Sequence, residues 1–222
     1  MQRYNLFDQL HKGLQSLLSD TARMLQKTDF ASTFEAEEAI GRLGRFIRVL
    51  NDQALLEEAC LFTCVQKLSP SIVFVLQQDH QHIRVAEQRL KSIIKVYRQS
   101  VSPEEKNYAG KMLATVFTEL MILVLRHFTR EENLINTILW SHFSDAEIAG
   151  TEQDIISCIS PEDLMLYNLY TCRNLNAGEL YNRLHRLKTT GLQAFHELSA
   201  GAEHELATTG LQELYTEEML VA

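Results

Sequence analysis

The chain has 222 residues, a formal net charge of −8 and 45% hydrophobic residues, with only 9 glycines and 3 prolines. That length suits one large domain or a core domain with an appendage, and so little glycine and proline suits a mostly helical globule. No run of Lys or Arg exceeds two residues, no uninterrupted apolar stretch reaches 18 and the first residues lack an apolar leader, so nucleic acid, a membrane span and secretion are not expected, and a cytoplasmic location is.

The first helix is expected over residues 4–27, with Phe7, Leu10, Leu14, Leu17, Leu18 and Leu25 on one side. A polar connection, 28–34, follows. The second helix is expected over 35–68, carried by Leu43, Phe46, Leu50 and Leu61. Ser69-Pro70 then starts a third helix, 70–99, with Ser as N-cap and Pro at the first helical position. Ser102-Pro103-Glu104 repeats that signal for a fourth helix, 103–140. Long amphipathic helices joined by short connections predict an all-α, antiparallel up-down four-helix bundle over residues 1–140. Residues 141–222 read as a helical extension packed on it, with helices near 145–158, 161–173, 177–189, 191–199 and 203–216. Capping-box spacing recurs there at Ser144 to Glu147 and at Asn176 to Glu179. Cys60, Cys64, Cys158 and Cys172 lack zinc-knuckle spacing and read as reduced core cysteines.

Several polar residues stand on apolar stripes where leucine or valine is the ordinary choice. In the fourth helix the run Val116, Leu120, Val124, His127, Glu131, Leu134, Ile138 puts an imidazole and a carboxylate one turn apart on the inner face. Such groups are costly in a dry core unless something pairs them, and a metal ion takes both. His11 falls in the stripe of the first helix, Gln53 and Glu57 in that of the second, and His80 in that of the third. Counting along the helices places these groups near one layer: His11 is about 17 residues from its helix end, and Gln53 and Glu57 are about 18–22 from their helix start. Glu57 is about 11 residues from the end of its helix and His80 about 10 from the start of the next, while the third match is looser, with His80 about 19 residues from its helix end and His127 about 24 from its start. Three inward histidines and two inward carboxylates in one layer point to metal binding. No histidine has a Glu three residues before it, which disfavours the ferritin-like Glu-x-x-His pattern. Nitrogen-rich ligation with two carboxylates suits iron, with zinc or manganese as alternatives. His82, His142, His185, His196 and His204 read as surface or capping residues, and Glu58 and Glu132 as edge carboxylates or outer partners of the ligands.

The segments Leu10-His11-Lys12-Gly13-Leu14, Asp79-His80-Gln81-His82-Ile83-Arg84 and His127-Phe128-Thr129-Arg130-Glu131-Glu132 resemble, in order and spacing, the hemerythrin-like HHE cation-binding domains. The resemblance covers roughly residues 4–140, and the stretch from Asn133 to Ser160 looks like the longer members with a helical extension. It implies a non-haem di-iron centre that meets dioxygen or nitric oxide or responds to iron supply, with His11, Glu57, His80, His127 and Glu131 as metal ligands. One departure stands out. The family usually carries His-x-x-x-Glu-Glu on its second helix, and the aligned residues here are Gln53, Glu57 and Glu58. An amide oxygen is a poorer iron ligand than imidazole, so the site could hold two metals weakly, hold one, or keep a water at that position. The other function classes are a di-iron redox or iron-centre repair enzyme, and a degenerate bundle that binds a protein partner or a second copy through its tail.

Overall fold

The computed structural model describes residues 3–160 and, beyond them, Leu164, Asn168, Tyr170, Thr171, Leu175, Asn176, Gly178 and Glu179. In order these form α1 (Asp8–Lys27), α2 (Thr33–Leu56), a π-helical turn (Glu57–Leu61), α3 (Phe62–Val65), α4 (Pro70–Gln99), α5 (Pro103–His142) and α6 (Asp145–Ser157). No strand occurs among the described residues. The all-α helical bundle expected from the periodicity is therefore the observed architecture. By its internal contacts the chain divides into one unit of residues 1–8 and 17–159 and a second of residues 9–16 and 160–222, so that α1 contributes to both.

In the first unit, α4 and α5 pack along each other as the longest pair. The Ser102 side chain accepts from the Glu105 N–H while the Glu105 carboxylate accepts from the Ser102 N–H, and Pro103 fills the first helical position of α5. Pro70 does the same for α4, where Ser69 takes the N-cap position without a side-chain bond. Ser144 and Glu147 close a second capping box at the start of α6. At one end of the bundle, Leu6, Phe7, Leu61, Phe62, Val65, Val73, Leu76, Ile135, Leu139 and Ile148 form a buried cluster. Further along, Phe46 meets Phe117 edge-to-face, ring centres 5.5 Å apart.

Four expectations are corrected. Residues 4–7 are not helical: Asn136 Nδ2 donates to Asn5 Oδ1 at 2.7 Å and Trp140 Nε1 donates to the Tyr4 carbonyl at 2.7 Å, so side chains of α5 tie this segment down as non-helical chain. The 28–34 connection is not purely polar, because Phe30 is buried and its ring lies against Gly110, where a Cβ would come within 2.2 Å of it. The second helix is not continuous α. Gln53, Glu57, Leu61 and Val65 are all buried, a four-residue step kept three times. Twelve residues exceed three α turns by roughly one residue, and the π turn absorbs it. Cys158 is exposed rather than in the core; Cys60 and Cys64 are half-buried, all three are free thiols, and Cys172 lies outside the described residues. α5 is long and apolar enough to cross a membrane by length and composition, with a mean hydropathy of 1.5 over its best window. Its inner stripe nevertheless carries the buried polar residues His127, Glu131 and Asn136.

In the second unit, Lys12 Nζ pairs with Glu179 Oε1 at 2.7 Å. The capping box expected at Asn176 is present: the Glu179 N–H donates to Asn176 Oδ1 at 3.0 Å and the Asn176 N–H donates to Glu179 Oε2 at 3.1 Å. Asn168, Thr171 and Leu175 are buried. The helices expected near 191–199 and 203–216, with His185, His196 and His204, lie outside the described residues, as does most of 161–173 and 177–189.

Candidate metal centre

The π turn places Glu57 on the inner face, α4 places His80 there, and α5 places His127 and Glu131. All four are 3% exposed or less. His80 Nε2 and His127 Nε2 face each other at 3.1 Å. Glu57 Oε2 lies 3.3 Å from His80 Nε2 and 3.7 Å from His127 Nε2, and Glu131 Oε2 lies 3.4 Å from His127 Nε2. Glu57 and Glu131 also bring carboxylate oxygens within 4.8 Å of each other. Gln53, one turn before Glu57, is buried and donates from Nε2 to Glu57 Oε1 at 2.7 Å.

The electrostatics follow from that crowding. Burial pushes the Glu57 carboxyl up, but hydrogen bonds and charge from His127 and His80 outweigh it and hold the group well below the usual carboxylate range. Burial likewise pushes His80 down, and Glu57 and Glu58 more than reverse this, so that the imidazole keeps a proton more readily than usual. Two imidazole nitrogens 3.1 Å apart cannot both present lone pairs without repulsion. A proton or a cation must sit between such groups. Donor separations of 3.1–3.7 Å are those of neighbouring ligands about a common centre with bonds of about 2 Å. Two neutral-capable imidazoles and two carboxylates are a donor set for a transition metal. The residues present fit the group.

Outer partners orient the imidazoles. Glu58, half-buried, lies 2.7 Å from His80 Nδ1 and accepts from Arg84 Nη2 at 3.2 Å. Phe62 stacks on the His80 ring, centres 5.4 Å apart. Sequence reasoning missed Asp79. It is 3% exposed, accepts from Arg130 Nη1 on both oxygens at 2.6 and 2.8 Å, and has Oδ2 4.0 Å from His127 Nδ1, too far for a hydrogen bond, so that this buried nitrogen is left without one. Its signal was present, since Asp79 follows Leu76 by three residues on the buried stripe of α4. Glu132 is half-buried. His82 is exposed, and His142 is exposed with Nδ1 3.0 Å from the Ile138 carbonyl at the end of α5. His11 belongs to the second unit, on the turn of α1 that carries Leu10 and Leu14, and is 1% exposed.

A helical bundle whose inner face gathers imidazoles and carboxylates from a π turn and two long helices is a cation-binding bundle. The chain belongs to the hemerythrin HHE cation binding domain family, whose profile matches residues 2–139. Membership implies binding of a non-haem metal, and the donor group Glu57, His80, His127 is where the described residues could hold one. Comparison with curated proteins and with solved structures gives no match.

Proposed function

We propose that the chain binds a non-haem di-iron centre and uses it to bind, sense or handle dioxygen or nitric oxide. The observation that carries the reading is the close approach of His80 Nε2 and His127 Nε2, 3.1 Å apart, with the Glu57 carboxylate against both. His80 and His127 would supply nitrogen to the metal, and Glu57 and Glu131 would supply carboxylate oxygen. His11 is the donor from α1; its burial supports this, as does the family match, which takes in residue 11. Iron in this layer supplies an affinity for diatomic ligands that no side chain has. The chain's own part is to hold the donors, orient the His80 ring through Glu58, and keep bulk water out with Phe62, Leu61 and Phe128, each 2% exposed or less. Gln53 leaves that quarter of the layer without an imidazole.

Anaerobic titration with ferrous iron, followed by elemental analysis and the absorption spectrum after oxygen is admitted, tests the reading. One to two equivalents of iron and an oxo-bridged iron band are expected. Folded protein that takes up less than about 0.1 equivalent would overturn it, and zinc or manganese retained in place of iron would replace iron as the cofactor.

A further inference from the structure

Glu87 is the buried acid that the metal layer does not use. It lies on α4 two turns beyond His80, falls on the same stripe as Ile83 and Leu90, and is 2% exposed. One carboxyl oxygen, Oε2, accepts from Asn51 Nδ2 at 3.0 Å. The other, Oε1, is buried with no hydrogen-bond partner. The Glu87 side chain borders a small, partly open cavity with room for about one water, whose polar lining residues are Asn51, Gln53, Glu57, His80, Arg84, Glu87 and His127. The cavity thus joins Glu87 to the position where Gln53 stands in place of an imidazole.

A charged carboxylate in a largely dry interior, with one oxygen lacking a donor, is costly, whereas the protonated acid forgoes only a neutral hydrogen bond there. Burial acts in the same direction and pushes the Glu87 carboxyl up, against the Asn51 hydrogen bond and the charges of Lys91 and Arg84 on its own helix. Around the cavity the charged or titratable groups are Glu57 on the π turn, His80 and Arg84 on α4 and His127 on α5, while α2 offers only the neutral Asn51 and Gln53.

We propose that Glu87 is the proton-holding group of this cavity, keeping a hydrogen on Oε1 and donating it to a small anion or water lodged against Gln53. In that step the Oε1–H bond breaks, the proton passes to the lone pair of the cavity guest, and Glu87 is left as a carboxylate. When the guest departs protonated, solvent returns the proton. The assignment rests on the metal-centre reading only for the identity of the guest, not for the state of Glu87.

Infrared difference spectra of the metal-free protein read Glu87 directly. The carbonyl stretch of a protonated carboxylic acid is expected at neutral pH in the wild type and missing in Glu87→Gln. In Asn51→Ala the same band should shift, because Oε2 loses its donor. Absence of the band from the wild type, or a band unmoved by both substitutions, overturns the proposal whether or not the protein binds iron. With iron loaded and checked by elemental analysis, azide serves as the anionic probe. Its affinity in the wild type should fall roughly tenfold per pH unit over one titration step that Glu87→Gln lacks. Superimposable pH profiles would overturn the proton-donor role, while failure to load iron would count against the metal-centre reading alone.

Discussion

At the scale of single residues the question is what each buried polar group is for. Gln53 is buried one turn before Glu57 and donates to its Oε1 at 2.7 Å, at the position where the family usually carries a histidine. Gln53→His should therefore bind the second equivalent of ferrous iron more tightly, by about tenfold or more, in anaerobic titration. A variant that folds and binds no more iron than the wild type would show that position 53 does not reach the metal. Asp79 lies one step further out, between Arg130 and the His127 ring and acting on that ring through charge alone, so Asp79→Asn should weaken iron binding by less than about tenfold in the same assay while the exposed His82→Ala leaves it unchanged. Glu87 carries a stability signature as well. Its folded pKa is raised above the ordinary 4.5. Its contribution is therefore fully present below the unfolded value and is lost as pH rises through the folded one, at up to about 1.4 kcal/mol per unit in between. Urea denaturation of the metal-free protein from pH 4 upward should show a decline that Glu87→Gln lacks.

At the scale of elements, local chemistry explains what could be read without coordinates. The bounds of α4 follow from Pro70 at its first position, and the start of α5 from Ser102, Pro103 and Glu105, because each bond involved lies within four residues. The inner-face positions of Glu57, His80, His127 and Glu131 were legible for the same reason, since period alone assigns a face. Tertiary bonds were not legible. The Asn5–Asn136 pair that replaces the first helical turn joins residues 131 apart. A four-residue spacing reads as a loose α pattern until the π turn is seen. The stripe of α4 takes in Asp79 and Glu87 as well as their neighbours His80 and Ala86, and period alone does not say which of two adjacent positions is the inner one. The Phe30–Gly110 contact is likewise non-local, and it yields a test: Gly110→Ala would force a methyl group against the Phe30 ring and should destabilise the fold by about 1–3 kcal/mol in denaturant unfolding, without altering metal stoichiometry.

For the whole molecule, metal and fold are coupled. Gathering Glu57, Glu131, His80 and His127 into one dry layer is unfavourable without a cation, and a cation that binds only the folded chain adds RT ln(1 + [L]/Kd), about 2.7 kcal/mol at a hundredfold excess over Kd. Iron-loaded protein should therefore melt above the metal-free form, by an amount that grows with iron concentration; a melting temperature indifferent to metal would mean that the layer is only structural. The π turn has a consequence of its own for how such a molecule can change. By taking up one residue of phase between Glu57 and Leu61, it works as a vernier between two rulers: the helix before it is indexed to the ligands, and the helix after it to the apolar cluster at Phe62 and Val65. Removing Ala59, an exposed residue of that turn, would restore a regular helix and turn one half against the other by about 100°, so that the chain could keep its ligands or its core in register but not both.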